Sequence, residues 1–156
     1  VPALRLDDGS VMTESAAMII HLADQLPHAQ LAPALASPLR PHYLRWIVFL
    51  AANIYASDLR LYYPERYTSE AAGAAAVRAA ARTAMAHEWS VFADALGARS
   101  YVLGDVYSAA DIYAALLATW NEDVALFFET HPNIKALYDR VAARPAIARV
   151  WQRNGM

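Results

Sequence analysis

The chain has 156 residues and a mass of 17.1 kDa, the size of one domain or one and a small part. With 13 Lys and Arg against 15 Asp and Glu, its formal charge of −2 excludes a nucleic-acid or anionic-membrane binder built on basic excess. There is no cysteine, which excludes a disulfide framework, a cysteine zinc site and a cysteine nucleophile within this chain; alanine supplies 35 residues, so the 58% hydrophobic content signals helix rather than unusual apolarity.

Only the opening stretch reads as β. Leu4-Arg5-Leu6 alternates, Asp7-Asp8-Gly9-Ser10 is turn chemistry, and Val11-Met12-Thr13 resumes the strand, the pattern of a hairpin. A helix opens near Thr13–Ser15, carries Ile19, Leu22, Ala23 and Leu26 at helical spacing, and ends at Pro27. Residues 27–41 hold four prolines and no periodicity, so they form a linker. Beyond Pro41 everything reads as helical. Leu44, Val48, Ala51, Tyr55, Leu59 and Tyr62 are expected to be the apolar face of one long helix stopped by Pro64. A second long helix starts around Thr68-Ser69-Glu70 and runs to Gly97, with Met85, Trp89, Phe92 and Leu96 as its stripe. A short extended piece at Tyr101-Val102-Leu103 precedes a helix from Ser108 to about Trp120. Pro132 and Pro145 open two more. No apolar run approaches the ~18 residues of a membrane span, and no basic-then-apolar leader opens the chain. The sequence reads as a soluble, cytoplasmic, mostly helical protein, and a first residue of Val rather than Met points to a segment upstream.

The sharpest local motif is Tyr107-Ser108-Ala109-Ala110-Asp111-Ile112. Ser108 at the N-cap can accept the N3 amide while the Asp111 carboxylate reaches back to the Ser108 amide, a capping box that Tyr107 and Ile112 complete with a hydrophobic staple. Its role is structural. At the first helix, Glu14 and Ser15 admit two readings. Either Thr13–Ser15 merely cap the helix, or the free amides and Ser15 hydroxyl receive a carboxylate while Glu14 holds an ammonium, together gripping an amino-acid-like head group. Among the five histidines no pair is spaced i, i+4, and His87-Glu88 is followed by Val at position 91, so no metal site is expected.

The runs VPALRLDDGSVMTESAAMIIHLAD and LGDVYSAADIYAALLATW through RVAARPAIARVWQ resemble cytosolic bacterial glutathione transferases: the second half of the thioredoxin-like domain, then the all-helical C-terminal domain. The resemblance implies a mostly α fold in which residues 1–27 are the remnant of the thioredoxin-like glutathione-binding domain (β-hairpin plus helix), 28–41 the linker and 42–156 the all-helical domain. It implies that Pro2 is the family's cis-proline, that Val1 before it bonds the cysteinyl unit of glutathione through its backbone, and that Glu14 and Ser15 grip the γ-glutamyl head group. It further implies Ser108 and Asp111 as the family's capping box, and glutathione as co-substrate without a metal. The partners it implies are a small hydrophobic electrophile and a second copy of the chain. Tyr55, Tyr62 and Tyr63 are the candidates for the electrophile pocket, each offering an apolar body and a polar tip. Trp120 is expected to be core.

The family's first β-α-β stretch, which carries the Tyr, Ser or Cys that stabilises the glutathione thiolate, has no counterpart in these residues, so no catalytic residue is assigned and the chain reads as an N-terminally incomplete transferase. Where beta-class members have Glu-Leu-His-Lys, this chain has Asn53-Ile54-Tyr55-Ala56. The expected activity of the intact protein is conjugation of the glutathione thiolate to a hydrophobic electrophile. The alternative is a non-catalytic dimerisation or docking module of the same fold.

Overall fold

The computed structural model describes residues 2–155. The hairpin is short: β1 (Leu4–Arg5) pairs antiparallel with β2 (Val11–Met12), Leu4 opposite Met12 and Arg5 opposite Val11. Its turn closes through the Gly9 amide on the Leu6 carbonyl at 2.9 Å, with Gly9 at φ +85, a conformation that a side chain would strain. The Asp8 carboxylate accepts from the Ser10 amide and hydroxyl, which holds it below its ordinary range.

Helix α1 (Ser15–Gln25) follows, its end set by Pro27. It is tied to the helical part by Arg40, the first residue of α2 (Arg40–Phe49). The Arg40 guanidinium donates twice to Asp24 at 2.7 Å and once to the Pro33 carbonyl at 3.1 Å. This two-pronged pairing keeps the Asp24 carboxyl below its usual range. The linker is stitched at its middle as well, where the Ala109 amide donates to the Leu31 carbonyl at 2.7 Å.

The long helix expected after Pro41 is present in three parts. A π-helical stretch over Leu50–Ile54 separates α2 from α3 (Tyr55–Tyr62). Its buried face differs from the expected one. Tyr43, Trp46, Ile47, Leu50, Ile54, Ser57, Asp58 and Leu61 point inward, one residue behind the expected stripe, whereas Val48 is 55% and Tyr62 46% exposed. One residue is about 100° around a helix, so the wrong stripe is the neighbouring one. Ser57 and Asp58 interrupt the true face with polar groups, which is why apolar spacing favours its neighbour.

Helix α4 (Ala74–Leu96) packs along α3 and buries Ala81, Met85, Trp89, Phe92, Ala93 and Leu96, the expected stripe. A single 3₁₀ turn over Ala71–Gly73 leads into it. A Cβ at Gly73 would lie 2.5 Å from the Thr68 hydroxyl, so the glycine there is a close-approach requirement. Trp89 and Phe92 meet edge-on at 5.8 Å, and Phe92 meets Trp46 of α2 the same way at 5.2 Å.

Helix α5 (Ala109–Ala118) runs through the middle, buried on nearly every side, with α7 (Pro132–Ala142) against it. Between them in the chain comes α6 (Val124–Thr130), which the spacing does not announce; Asp123 starts it by accepting the Leu126 amide at 3.0 Å. Helix α8 (Pro145–Arg153) closes the chain, with Trp151 stacked on Tyr138 at 5.3 Å. No helix among the described residues is long and apolar enough to cross a membrane.

Candidate functional site

The site begins where β2 hands over to α1. Glu14 takes φ 67, ψ 105, an uncommon backbone for a residue with a side chain, and its carbonyl starts the helix by accepting the Met18 amide at 3.0 Å. No side chain caps this end: Glu14 is exposed and makes no cap bond. The first amides of α1 are thus without a side-chain acceptor, and the capping alternative is not the arrangement found. Pro2 is exposed beside the hairpin, while the expectation placed on Val1, and on the bond joining it to Pro2, lies outside the described residues.

Ser15 faces the helical part. Its Oγ lies 3.2 Å from the phenol oxygen of Tyr113 on α5, a bond that spans 98 residues of sequence. Burial pushes the Tyr113 phenol above its ordinary pKa against the lowering by the Ser15 hydrogen bond, and Tyr55, Asp58 and Glu14 add smaller upward pushes. Tyr113 therefore stays protonated and feels both sides of the site: Glu14 and Ser15 at the start of α1, Tyr55 and Asp58 on α3.

Across α3 opens a cavity of about 540 Å³. All three candidate tyrosines, Tyr55, Tyr62 and Tyr63, line it, joined by Asp58, Trp120 and Asn121. Tyr62 bonds the Trp120 carbonyl through its hydroxyl, and the Tyr55 and Trp120 rings sit 5.6 Å apart. Trp120 is 37% exposed at the cavity rather than core, because α5 ends at Ala118 and the chain turns outward there.

Asp58 is the member that apolar spacing missed. It is 3% exposed, and neither carboxylate oxygen has a hydrogen-bond partner among the described residues. Burial, with Glu88 of α4 adding like charge, pushes its carboxyl up to about 7. One oxygen of Glu88 is also buried without a partner. The available sequence signal was a polar pair, Ser57-Asp58, on a helix whose neighbours are apolar.

The second buried aspartate has the opposite character. Asp111 is fully buried, and its two oxygens accept from the Val102 amide at 2.9 Å, the Ser108 amide at 2.8 Å and the Ser108 hydroxyl at 3.1 Å. The capping box expected from the sequence is formed, and it also secures the Tyr101–Gly104 turn. Desolvation still lifts the Asp111 carboxyl to about 6, against the lowering by its three hydrogen bonds. Among the described residues, no three or more His, Asp or Glu gather as a metal would require.

The architecture is thus a short hairpin and helix joined to an all-helical part. The family model for the glutathione S-transferase C-terminal domain matches residues 50–145, and this chain belongs to the glutathione S-transferase family. It is 28% identical over 156 residues to glutathione S-transferase GstA of Escherichia coli O157:H7, covering 100% of this chain and 74% of that protein. Among solved structures it is similar to BphK, a bacterial member described in a ternary complex (32% identity, TM-score 0.86, 100% of this chain and 74% of the other). It is also similar to a sphingomonad glutathione S-transferase complexed with glutathione (29% identity, TM-score 0.84, 100% and 74%).

Proposed function

We propose that the start of α1 binds the γ-glutamyl end of glutathione and that the neighbouring tyrosine cavity receives a hydrophobic electrophile, to which a transferase of this kind conjugates the thiol. The observation that carries this reading is the contact of the Tyr113 phenol with the Ser15 hydroxyl, which ties the start of α1 to α5. The helix that carries Tyr113 runs on into Thr119 and Trp120, which line the cavity. Support also comes from the sphingomonad relative, whose structure is a complex with glutathione.

In this reading the ligand's carboxylate accepts from the uncapped α1 amides, where the helix dipole favours negative charge, and from the Ser15 hydroxyl. Tyr113, kept protonated by burial, has a proton to give Ser15 Oγ once the single Ser15 proton is turned to that carboxylate. Glu14, held outward by its backbone, takes the ammonium. Val1 and Pro2 complete the binding edge for the cysteinyl unit. The sulfur-activating group is assigned to no residue of this chain; its residues bind the head group and wall the cavity.

Dimerisation and a cytoplasmic setting belong to the same proposal. The surface offered to a second copy is the part of α2 where exposed Val48 stands beside half-buried Leu44 and Phe49. Calorimetric titration with glutathione tests the binding reading. Wild type binds, while Glu14→Gln and Ser15→Ala each weaken binding about ten- to a hundredfold, the loss of one charge-assisted contact. Undiminished binding in both variants contradicts it.

A further inference from the structure

We propose that the tyrosine cavity is selective for a cationic ligand, an apolar compound bearing an ammonium group, which the aromatic rings receive on their faces and Asp58 attracts from beneath. The inference builds on the reading of this cavity as the electrophile's pocket and names the chemical class it takes.

Four features lead there. Tyr55, Tyr62, Tyr63 and Trp120 surround the space, and three of them keep large exposed surfaces. Aromatic faces are electron-rich and attract cations, tryptophan most strongly. The Tyr63 ring already carries one such contact on its own surface, with the Arg66 guanidinium 4.1 Å from its centroid. Asp58 is the one carboxyl along the lining, which itself holds no Lys, Arg or His, although Arg66 stands against the Tyr63 ring.

The third and fourth features concern Asp58 itself. Its oxygens lack partners, so its charge is unanswered by the protein. The groups that face it also fail to neutralise it: α4 contributes Glu88, like-charged, while α5 contributes the protonated Tyr113 and α3 the Tyr62 phenol. The cation that α4 brings to this helix, Arg78, donates instead to the Leu61 carbonyl at 3.1 Å. A buried carboxyl in that position favours whichever ligand returns it to the ionised form, and an ammonium does so. A neutral ligand leaves it protonated.

The sign of the pH dependence follows. Asp58 ionises around pH 7, so the competent form makes up roughly a tenth of the protein at pH 6 and nine-tenths at pH 8. Affinity for a permanent cation should rise towards about tenfold across that window, and affinity for a neutral isostere should not.

The test is calorimetric titration of the full chain with benzyltrimethylammonium and with its uncharged isostere neopentylbenzene, at pH 6 and pH 8, without glutathione. The expected result is tighter binding of the ammonium at pH 8, several-fold or more weaker at pH 6, with proton release on binding below pH 7. In Asp58→Asn, whose folding is checked by circular dichroism, the pH dependence disappears and the ammonium loses its advantage. In Trp120→Leu the ammonium weakens more than the hydrocarbon. Equal affinity for the two compounds, or ammonium binding that is insensitive to pH in the wild type, overturns the inference and leaves the pocket reading standing. Binding of neither compound overturns both.

Discussion

Two aspartates lie buried in this molecule, and their surroundings separate architecture from site. Asp111 is covered completely, yet three donors converge on its oxygens and its carboxyl is lifted only to about 6. Asp58 is almost as well covered, finds no donor, sits near a second carboxyl, and is lifted to about 7. Burial alone therefore says little about role. A satisfied buried carboxylate fastens a helix to a turn; an unsatisfied one bordering a cavity is destabilising in the empty protein and has something left to give a ligand.

Substitutions should split the pair in opposite directions. The largest effect is expected from Asp111→Ala, which orphans the Val102 and Ser108 amides and should cost about 3–4 kcal/mol in urea unfolding. A loss below about 1 kcal/mol would break the contrast. Next comes Asp58→Asn, which removes an uncompensated charge and should stabilise by about 1–3 kcal/mol at pH 8. A destabilisation there would mean that Asp58 has a partner after all.

The pH dependence sharpens the contrast further. Asp58 binds its proton more tightly folded than unfolded, because about 7 exceeds the ordinary 3.8. Its contribution is then fully present below pH 3.8 and is lost as pH rises towards 7, so Asp58→Asn should gain little at pH 4 and most at pH 8. Asp24 runs the other way. Its carboxyl is lowered by the Arg40 hydrogen bonds, so that pair's contribution is present above pH 3.8 and lost as acid titrates the folded carboxyl. Chemical denaturation of Asp58→Asn at pH 4 and pH 8, and of Asp24→Asn at pH 2 and pH 6, reads both signs. The smallest effect is expected from Val48→Asp at an exposed position of α2, near zero on monomer stability but visible as a shift towards monomer in sedimentation.

The same pair explains what could be read from the residues alone. Asp111 was legible because a capping box is a local pattern: four consecutive positions fix the partners, and only the added bond to Val102 needed the fold. The hairpin was legible for the same reason, since the turn at Gly9 sits within it. Asp58 was not, because its meaning depends on α4 and α5, which arrive later in the chain. An acid on the inward stripe of α2 and α3 even moved the expected face by one residue, sending Val48 inward and leaving Leu61 out. Trp120 was misjudged because hydrophobic spacing does not report where a helix stops. Tyr55, Tyr62 and Tyr63 were found as a group through family likeness, and their common cavity depends on Trp120 and Asn121 from beyond α5. Ser15 meeting Tyr113 is a contact no local pattern contains.

The central claim is that the α1 head-group pair and the aromatic cavity are two halves of one binding site. It is tested most directly by titrating glutathione and S-hexylglutathione into the wild type, Ser15→Ala and Trp120→Ala. The hexyl chain should add affinity in the wild type; Trp120→Ala should remove that increment and spare glutathione itself, while Ser15→Ala should weaken both ligands alike. If the hexyl chain adds nothing, or if Trp120→Ala weakens glutathione as much as its hexyl derivative, the two regions do not share a ligand.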